Sequence, residues 1–245
     1  MRRLKITIEY DGNGYYGWQE QEDLPTIQGT IQEAIFQFCG EKVVVHGAGR
    51  TDAGVHALAQ VAHFEVVRDT NPNEILSALN HFLRNSRIAI LNCEDVDDTF
   101  HARFSAKSRS YVYTIMNRRM HLTREKNYAW HVVDELDIML MNRGAQYLIG
   151  SHDLESFRAA NCQARSARRS IDKLEVVRNG SKIEVFISAK SFLHNQVRII
   201  VGTLRKVGNG SWNVNKIPEI IKSKHRSAAG QTAPASGLYL STIEY

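Results

Sequence analysis

Residues 171–189, IDKLEVVRNGSKIEVFISA, contain an Asn179-Gly180 pair between two segments in which apolar and polar residues alternate. Asn and Gly readily adopt the positive φ values of a two-residue hairpin turn, and a period of two is typical of a strand with one buried face. The stretch therefore predicts two antiparallel strands joined by a tight turn.

The residues on either side of this hairpin predict the rest of an α+β half. SYVYTIM predicts a strand before it, and a helix is expected over residues 138–148. After the hairpin, apolar residues recur at helical spacing from Val197 to Val207, and GLYLSTIEY predicts a closing strand.

The earlier part of the chain shows a similar order of elements. Thr26 as a cap and Gly40 as a stop predict one helix, and Asn73 predicts the cap of a second. The strands KITIEY, VVVHGAG, VAHFEVV and RIAILNCEDV complete the order strand-helix-strand-strand-helix-strand. We predict an α+β fold with two halves, residues 1–104 and 105–245, each an antiparallel sheet with helices on one face.

Charge and cysteine content exclude several classes of protein. Lys and Arg number 31 against 26 Asp and Glu, and the net charge of +5 modestly favours a polyanionic partner. Cys39, Cys93 and Cys162 are widely spaced, which argues against a disulfide framework and a structural zinc site. The sequence shows neither a secretory signal nor a membrane-spanning stretch, so we expect a cytoplasmic protein. We find no metal-ligand spacing and no nucleotide-cofactor signature.

AGRTDAGVHA, residues 48–57, places one carboxylate among residues that are unusually small. Asp52 follows a predicted strand, with Arg50 and His56 beside it and glycines that permit close approach of another backbone or of a ligand. A turn aspartate that satisfies its own backbone is the alternative interpretation.

Two further sets of residues fit either a binding site or an ordinary core. Tyr111 and Tyr113 share a strand face with Arg109, which suits unstacked bases and phosphates but also an aromatic core stripe. Arg198 lies at the shoulder of a helix's buried face, where it either extends to solvent or, if partly buried, requires an anion such as Asp52.

Three basic clusters lie in the second half of the chain. Arg165, Arg168 and Arg169 form one of them, and NRRM and KSKHRS are the others. Charge runs are usually solvated faces, but three of them favour a surface that follows a phosphate backbone over a single metabolite pocket. We predict contacts of Arg109 and of the first cluster with a nucleic-acid backbone.

Six segments follow one another in the order YDGNGYYGWQEQ, TIQGTIQEAI, GAGRTDAGVHALAQVAHF, FHARFSAKSRSYVYTI, SFLHNQVRIIVGTLRKVG and TAPASGLYL. Together they resemble the bacterial tRNA pseudouridine synthase A family. The resemblance implies two RRM-like (ferredoxin-like) halves that form a central antiparallel sheet flanked by helices, with the active cleft between them. It also implies a homodimer, no cofactor or metal, and uridines at about positions 38, 39 and 40 of the tRNA anticodon stem-loop as substrates, which must be turned out of the stacked arm.

The same resemblance assigns roles to individual residues. It makes Asp52 the catalytic aspartate and Arg50 a residue of the same loop that displaces and holds the substrate region. It makes Tyr111 the ring that stacks on the target uracil, Arg198 the ion-pair partner of Asp52, and Leu240 part of the segment that closes the pocket.

The sequence leaves the chemical route open. An ionised carboxylate could attack C1′, abstract the C2′ proton or add to C6 of the ring. A non-catalytic RNA-binding module and an N-glycosylase that releases free uracil are the competing functions. Neither half shows a clean RRM sequence motif, and hydrolytic glycosidases typically use two carboxylates.

Overall fold

The computed structural model describes residues 1–245, which form two compact units. The first comprises Met1–Lys107 with Tyr239–Tyr245, and the second comprises Ser108–Leu238. The division into halves 1–104 and 105–245 with separate catalytic roles stays a prediction. The elements are β1 (Arg2–Tyr10), α1 (Ile27–Cys39), β2 (His46–Gly47), β3 (His56–Val66), α2 (Pro72–Leu83), β4 (Ile88–Asp95), β5 (Ser108–Asn117), β6 (Trp130–Val132), α3 (Ile138–Gln146), β7 (Gly150–Asp153), β8 (Arg168–Asn179), β9 (Lys182–Ala189), α4 (Gln196–Gly208), α5 (Lys216–Ser223) and β10 (Leu238–Glu244).

The first unit has the strand order of a ferredoxin-like fold. Its antiparallel strands lie in the order β4-β1-β3-β2, with α1 and α2 packed against each other and α2 against β4. This is the arrangement expected for strand-helix-strand-strand-helix-strand. β10 pairs in parallel with the start of β3, and Tyr239 and Leu240 lie opposite His56 and Ala57.

The core of the first unit follows the predicted alternation. Leu4, Ile6, Ile8 and Tyr10 on β1 are at most 2% exposed, and the residues between them are more accessible. Full burial of one such aliphatic side chain stabilises the fold by roughly 1.5–3 kcal/mol. The α+β fold class is confirmed, and β1 contributes one buried face to it, whereas β3 is buried along most of its length on both faces.

Local capping signals were predicted with mixed success. α1 is capped by Thr26, whose Oγ1 accepts from Gly29 N at 3.3 Å, and ends at Gly40 with φ +74°, as expected. The cap of α2 is Asn71 and not Asn73, because Pro72 occupies the first helical position, where its fixed φ and missing N–H are favourable. The predicted strand VVVHGAG is reduced to β2, and Val44 is exposed.

The second unit contains the predicted hairpin. β8 and β9 pair from Ile171–Ala189 to Asn179–Lys182, so the two-residue turn is Gly180-Ser181, one residue later than the predicted Asn179-Gly180. Asn179 ends β8, and Gly180 supplies the positive φ of the turn, +59°. The register shifts between Ile171 and Lys173, so the buried face passes from Ile171 to Leu174.

The strands of the second unit lie in the order β5-β9-β8-β7, with β6 parallel to β5. β9 lies between β5 and β8, which is the position that β3 occupies between β1 and β2 in the first unit. The helix α3 packs on α4 and β8. Of the three free cysteines only Cys93 is buried. No helix combines the length and apolar character needed to cross a membrane.

Candidate active site

Asp52 lies on a turn with firmly anchored ends. Its carbonyl accepts from Val55 N at 3.1 Å, and Gly54 has φ +76°, which a type II turn requires at its third position. Thr51 and Val55 are buried, whereas Asp52 itself is partly exposed. The turn therefore presents a carboxylate at the surface of the first unit from a rigid support.

A second loop, which contains Gly12 and Gly17, lies directly against the backbone of this turn. A Cβ atom on Gly17, where φ is +93°, would lie 2.7 Å from the Thr51 carbonyl oxygen, and one on Gly12 would lie 2.2 Å from the Val55 oxygen. Trp18 N also donates to the Thr51 carbonyl at 3.0 Å. Only glycine permits this approach, which explains Gly12 and Gly17 of YDGNGYYG.

Arg50 is exposed but oriented by a series of amide side chains. Its Nε donates to Gln19 Oε1 at 2.9 Å, and Gln19 Nε2 donates to Gln28 Oε1 at 2.9 Å. The buried Gln28 in turn donates to the Val45 carbonyl at 3.0 Å. Gln19 was not predicted as a functional residue, since nothing in the sequence links it to Arg50.

His56 and β10 fix the other end of the turn. The buried His56 ring accepts from Gly12 N at Nδ1, at 3.1 Å, and Asp11 Oδ1 lies 3.1 Å from the same nitrogen. The Tyr239 ring stacks on His56 with centroids 4.7 Å apart. Leu240 is fully buried, and its contact with substrate stays a prediction.

Tyr111 and Tyr113 occupy one face of β5 but differ in their surroundings. Tyr111 is 9% exposed and meets the Phe192 ring edge to face at 5.3 Å. Tyr113 is fully buried and donates from its hydroxyl to the Pro234 carbonyl at 2.8 Å. Burial raises the Tyr113 pKa, and the positive charge of Arg198 opposes this. The interpretation as a core aromatic fits Tyr113.

Arg198 lies in the first turn of α4, where the helix dipole disfavours a cation. Its guanidinium is held in part by uncharged groups: Nε donates to the Ala233 carbonyl at 2.7 Å and Nη1 to Asn195 Oδ1 at 2.8 Å. Ala233 N donates back to the Arg198 carbonyl at 3.1 Å. Arg198 is partly buried, as one interpretation of the sequence required, but neither partner was predicted.

The arginines predicted to contact a nucleic-acid backbone differ in accessibility. Arg165 and Arg168 are exposed. Arg169 donates to the Ser166 and Arg168 carbonyls, and burial lowers its pKa. Arg109 is 8% exposed and donates to the Lys190 carbonyl at 2.6 Å, so it is the least accessible of the four.

The predicted site residues are divided between the two units. Asp52, Arg50 and Leu240 belong to the first, whereas Tyr111, Arg198 and the four predicted backbone contacts belong to the second. The ion pair between Asp52 and Arg198 stays a prediction. No group of His, Cys, Asp and Glu side chains is arranged to hold a metal ion.

Comparison with known proteins gives a consistent picture. Residues 6–105 and 145–245 match the model of a family described as tRNA pseudouridine synthase. The tRNA pseudouridine synthase A of Nitrobacter hamburgensis is 48% identical over 245 residues, which cover all of both chains. That of Wolbachia pipientis is 50% identical over 244 residues, 99% of this chain and 100% of its own.

Among solved structures, a chain in the crystal structure of a Cbf5-Nop10-Gar1 complex aligns with 82% of this chain and 54% of its own length. The identity is 12% and the TM-score 0.32, so the alignment adds nothing to the fold seen directly.

Proposed function

Because the chain belongs to the tRNA pseudouridine synthase family and is an isomerase that converts uridine in tRNA to pseudouridine, we propose that its targets are the uridines at about positions 38, 39 and 40 of the anticodon stem-loop. These bases must be turned out of the stacked arm before they can react. The full-length identity to relatives named tRNA pseudouridine synthase A carries this proposal. The anchored turn that presents Asp52 supports the presence of a catalytic carboxylate in this chain.

In the proposed mechanism Asp52 is the catalytic residue. The reaction breaks the bond from C1′ to N1, turns the uracil and joins C1′ to C5, so that C5 loses a proton and N1 gains one. The carboxylate can start this by attack at C1′, removal of the C2′ proton or addition to C6. The small residues on both sides of Asp52 allow a ribose to reach it.

The other proposed site residues bind and orient the substrate. Tyr111 stacks on the extruded uracil, which returns part of the cost of unstacking, and Arg50 holds the displaced region. Arg198 pairs with Asp52 and favours its ionised form. Leu240 helps to close the pocket against water, because hydrolysis would leave an abasic site.

The proposed RNA contacts and assembly follow the same family analogy. Arg165 and Arg168 are exposed and suited to phosphates, with Arg169 and the less accessible Arg109 as further contacts. We propose a cytoplasmic homodimer, with the active cleft between the two RRM-like halves. Sedimentation of the purified chain at micromolar concentration tests the dimer, and a monomer at that concentration would refute it.

The test of the proposed targets is site mapping of pseudouridine in an unmodified tRNA transcript before and after treatment with the purified chain. New pseudouridine confined to the anticodon stem-loop supports the proposal, whereas modification elsewhere alone would refute it. Free uracil would indicate an N-glycosylase, and binding without any product would indicate a non-catalytic RNA-binding module.

Arg198→Lys tests the proposed ion pair. Lysine keeps the charge but loses the planar fork that holds two acceptors, so turnover at saturating tRNA should fall strongly while the circular dichroism spectrum and Tm are retained. Wild-type turnover in this variant would leave Arg198 without the proposed role.

A further inference from the structure

α4 begins differently from α1, α2 and α3. The caps Thr26, Asn71 and Asp137 have extended backbones, and each side-chain oxygen accepts from the backbone N–H three residues ahead. Asn195 at the start of α4 has φ +61° and ψ 6°, in the left-handed region, and its side chain makes no such bond. Its Oδ1 instead accepts from Arg198 Nη1 at 2.8 Å.

This arrangement gives up two sources of stability. An asparagine that caps a helix satisfies one of its free N–H groups, and the left-handed region, although asparagine tolerates it better than most residues, is less favourable for asparagine than for glycine. A strained conformation persists only where its surroundings enforce it, and such residues cluster at functional sites.

The neighbours of Asn195 do enforce its conformation. The His194 carbonyl accepts from Ala159 N at 3.2 Å, and His194 Nδ1 lies 2.9 Å from Asn161 Oδ1. On the other side, Leu193 N donates to Gln196 Oε1 at 2.7 Å. The segment before α4 is therefore fixed from both directions.

The result is a guanidinium whose plane is set. Nε is held by the Ala233 carbonyl and Nη1 by Asn195, so rotation about the last side-chain bonds is blocked. Both acceptors are neutral, so they orient the cation without neutralising it. An aspartate at position 195 could accept the same hydrogen bond, but its negative charge would neutralise the guanidinium of Arg198.

We propose that Asn195 is a positioning residue, which holds the Arg198 guanidinium in its reactive orientation at the expense of capping α4. The inference rests on the role given to Arg198 under the proposed function. Asn195 acts through Arg198, and its contribution should disappear when the arginine is absent.

Asn195→Gly separates positioning from folding. Glycine adopts positive φ without strain, which offsets the stability lost with the hydrogen bond to Arg198, so Tm should change little, whereas the guanidinium without its orienting contact should lower kcat about 10-fold. KM for tRNA should change by less than about 2-fold, because the orienting contact is needed in the transition state. Asp23→Gly, at an exposed loop residue with φ +57°, is the control for relief of strain and should keep wild-type kcat.

A double-mutant cycle with Arg198→Lys completes the experiment. In the lysine background, Asn195→Gly should change kcat by less than about 2-fold, because its effect passes through the arginine. Equal losses in both backgrounds, wild-type kcat in Asn195→Gly, or a loss accompanied by a lowered Tm would each overturn the inference. If Arg198→Lys itself keeps wild-type turnover, the proposed role of Arg198 fails as well, which distinguishes the two failures.

Discussion

His63 should make the first unit lose stability as the pH falls from about 6.5 to about 4. The side chain lies on β3 with 4% of its surface exposed, and its Nδ1 accepts from Ala102 N at 3.2 Å. The rings of His46 and His101 lie 5.0 and 4.6 Å away. Burial, the two histidines and Arg3 lower the pKa of His63 to about 4.

The direction and size of the effect follow from proton linkage. Between the two pKa values the unfolded chain binds a proton that the folded ring rejects, so acid favours unfolding. The stability is complete above the unfolded pKa near 6.5 and is lost as the pH falls to the folded pKa. At about 1.4 kcal/mol for each pKa unit, the loss reaches roughly 3 kcal/mol. If Nδ1 were protonated, it could no longer accept the hydrogen bond from Ala102 N, because both groups would be donors.

Urea unfolding from pH 8 to pH 4 on the wild type and on His63→Gln measures this loss. Glutamine can accept from Ala102 N but does not titrate, and the carboxylates that protonate near pH 4 are common to both proteins. The wild type should lose about 3 kcal/mol more than the variant, or roughly 6–12 °C of Tm in a chain of this size. If the free energy of unfolding changed with pH equally in the wild type and in His63→Gln, the reasoning would be refuted.

Four further changes test the site and the loop that supports it. Asp52→Asn should reduce single-turnover formation of pseudouridine by several orders of magnitude. The affinity for tRNA, measured on the same preparation, should be kept or should improve slightly, because the variant has lost a negative charge. Retained turnover would falsify the catalytic assignment. Tyr111→Phe should keep much of the activity, whereas Tyr111→Ala should lose about 1–3 kcal/mol of base stacking; equal inactivity would implicate the hydroxyl instead. tRNA affinity should fall steeply with added salt as counterions are released, and a flat titration would move the arginine clusters off the binding surface. Gly17→Ala should lower Tm more than Gly14→Ala, because both glycines have positive φ but only the Cβ added at Gly17 would lie 2.7 Å from the Thr51 carbonyl oxygen. Equal shifts would show that this close contact is unimportant.

The features predicted correctly are those that neighbouring residues determine. The β8–β9 hairpin, the Thr26 cap and the Gly40 stop each depend on backbone preferences within a few positions. The position of the hairpin turn was wrong by one residue, because Gly180 occupies its first central position and not its second. The Asn73 cap was wrong because Pro72 prefers the first helical position and places the cap two residues earlier, at Asn71, which is an equally local preference.

The features that were missed depend on partners far away in the sequence. Gln19 matters because it meets Arg50, and the Ala233 carbonyl matters because it meets Arg198. Nothing within either segment identifies the other. Asn195 had one available signal, the tolerance of asparagine for the left-handed region, but Asn at the start of a helix more often predicts an ordinary cap.

The pairing of β10 with β3 has a consequence for the order in which the protein is made. Translation delivers the chain from its N-terminus, and domains generally fold as units as they emerge. The strand opposite His56 and Ala57 is synthesised only after the whole of the second unit. A nascent chain on the ribosome, surrounded by tRNA, therefore carries the Asp52 turn for most of its synthesis without the neighbour that fixes its end.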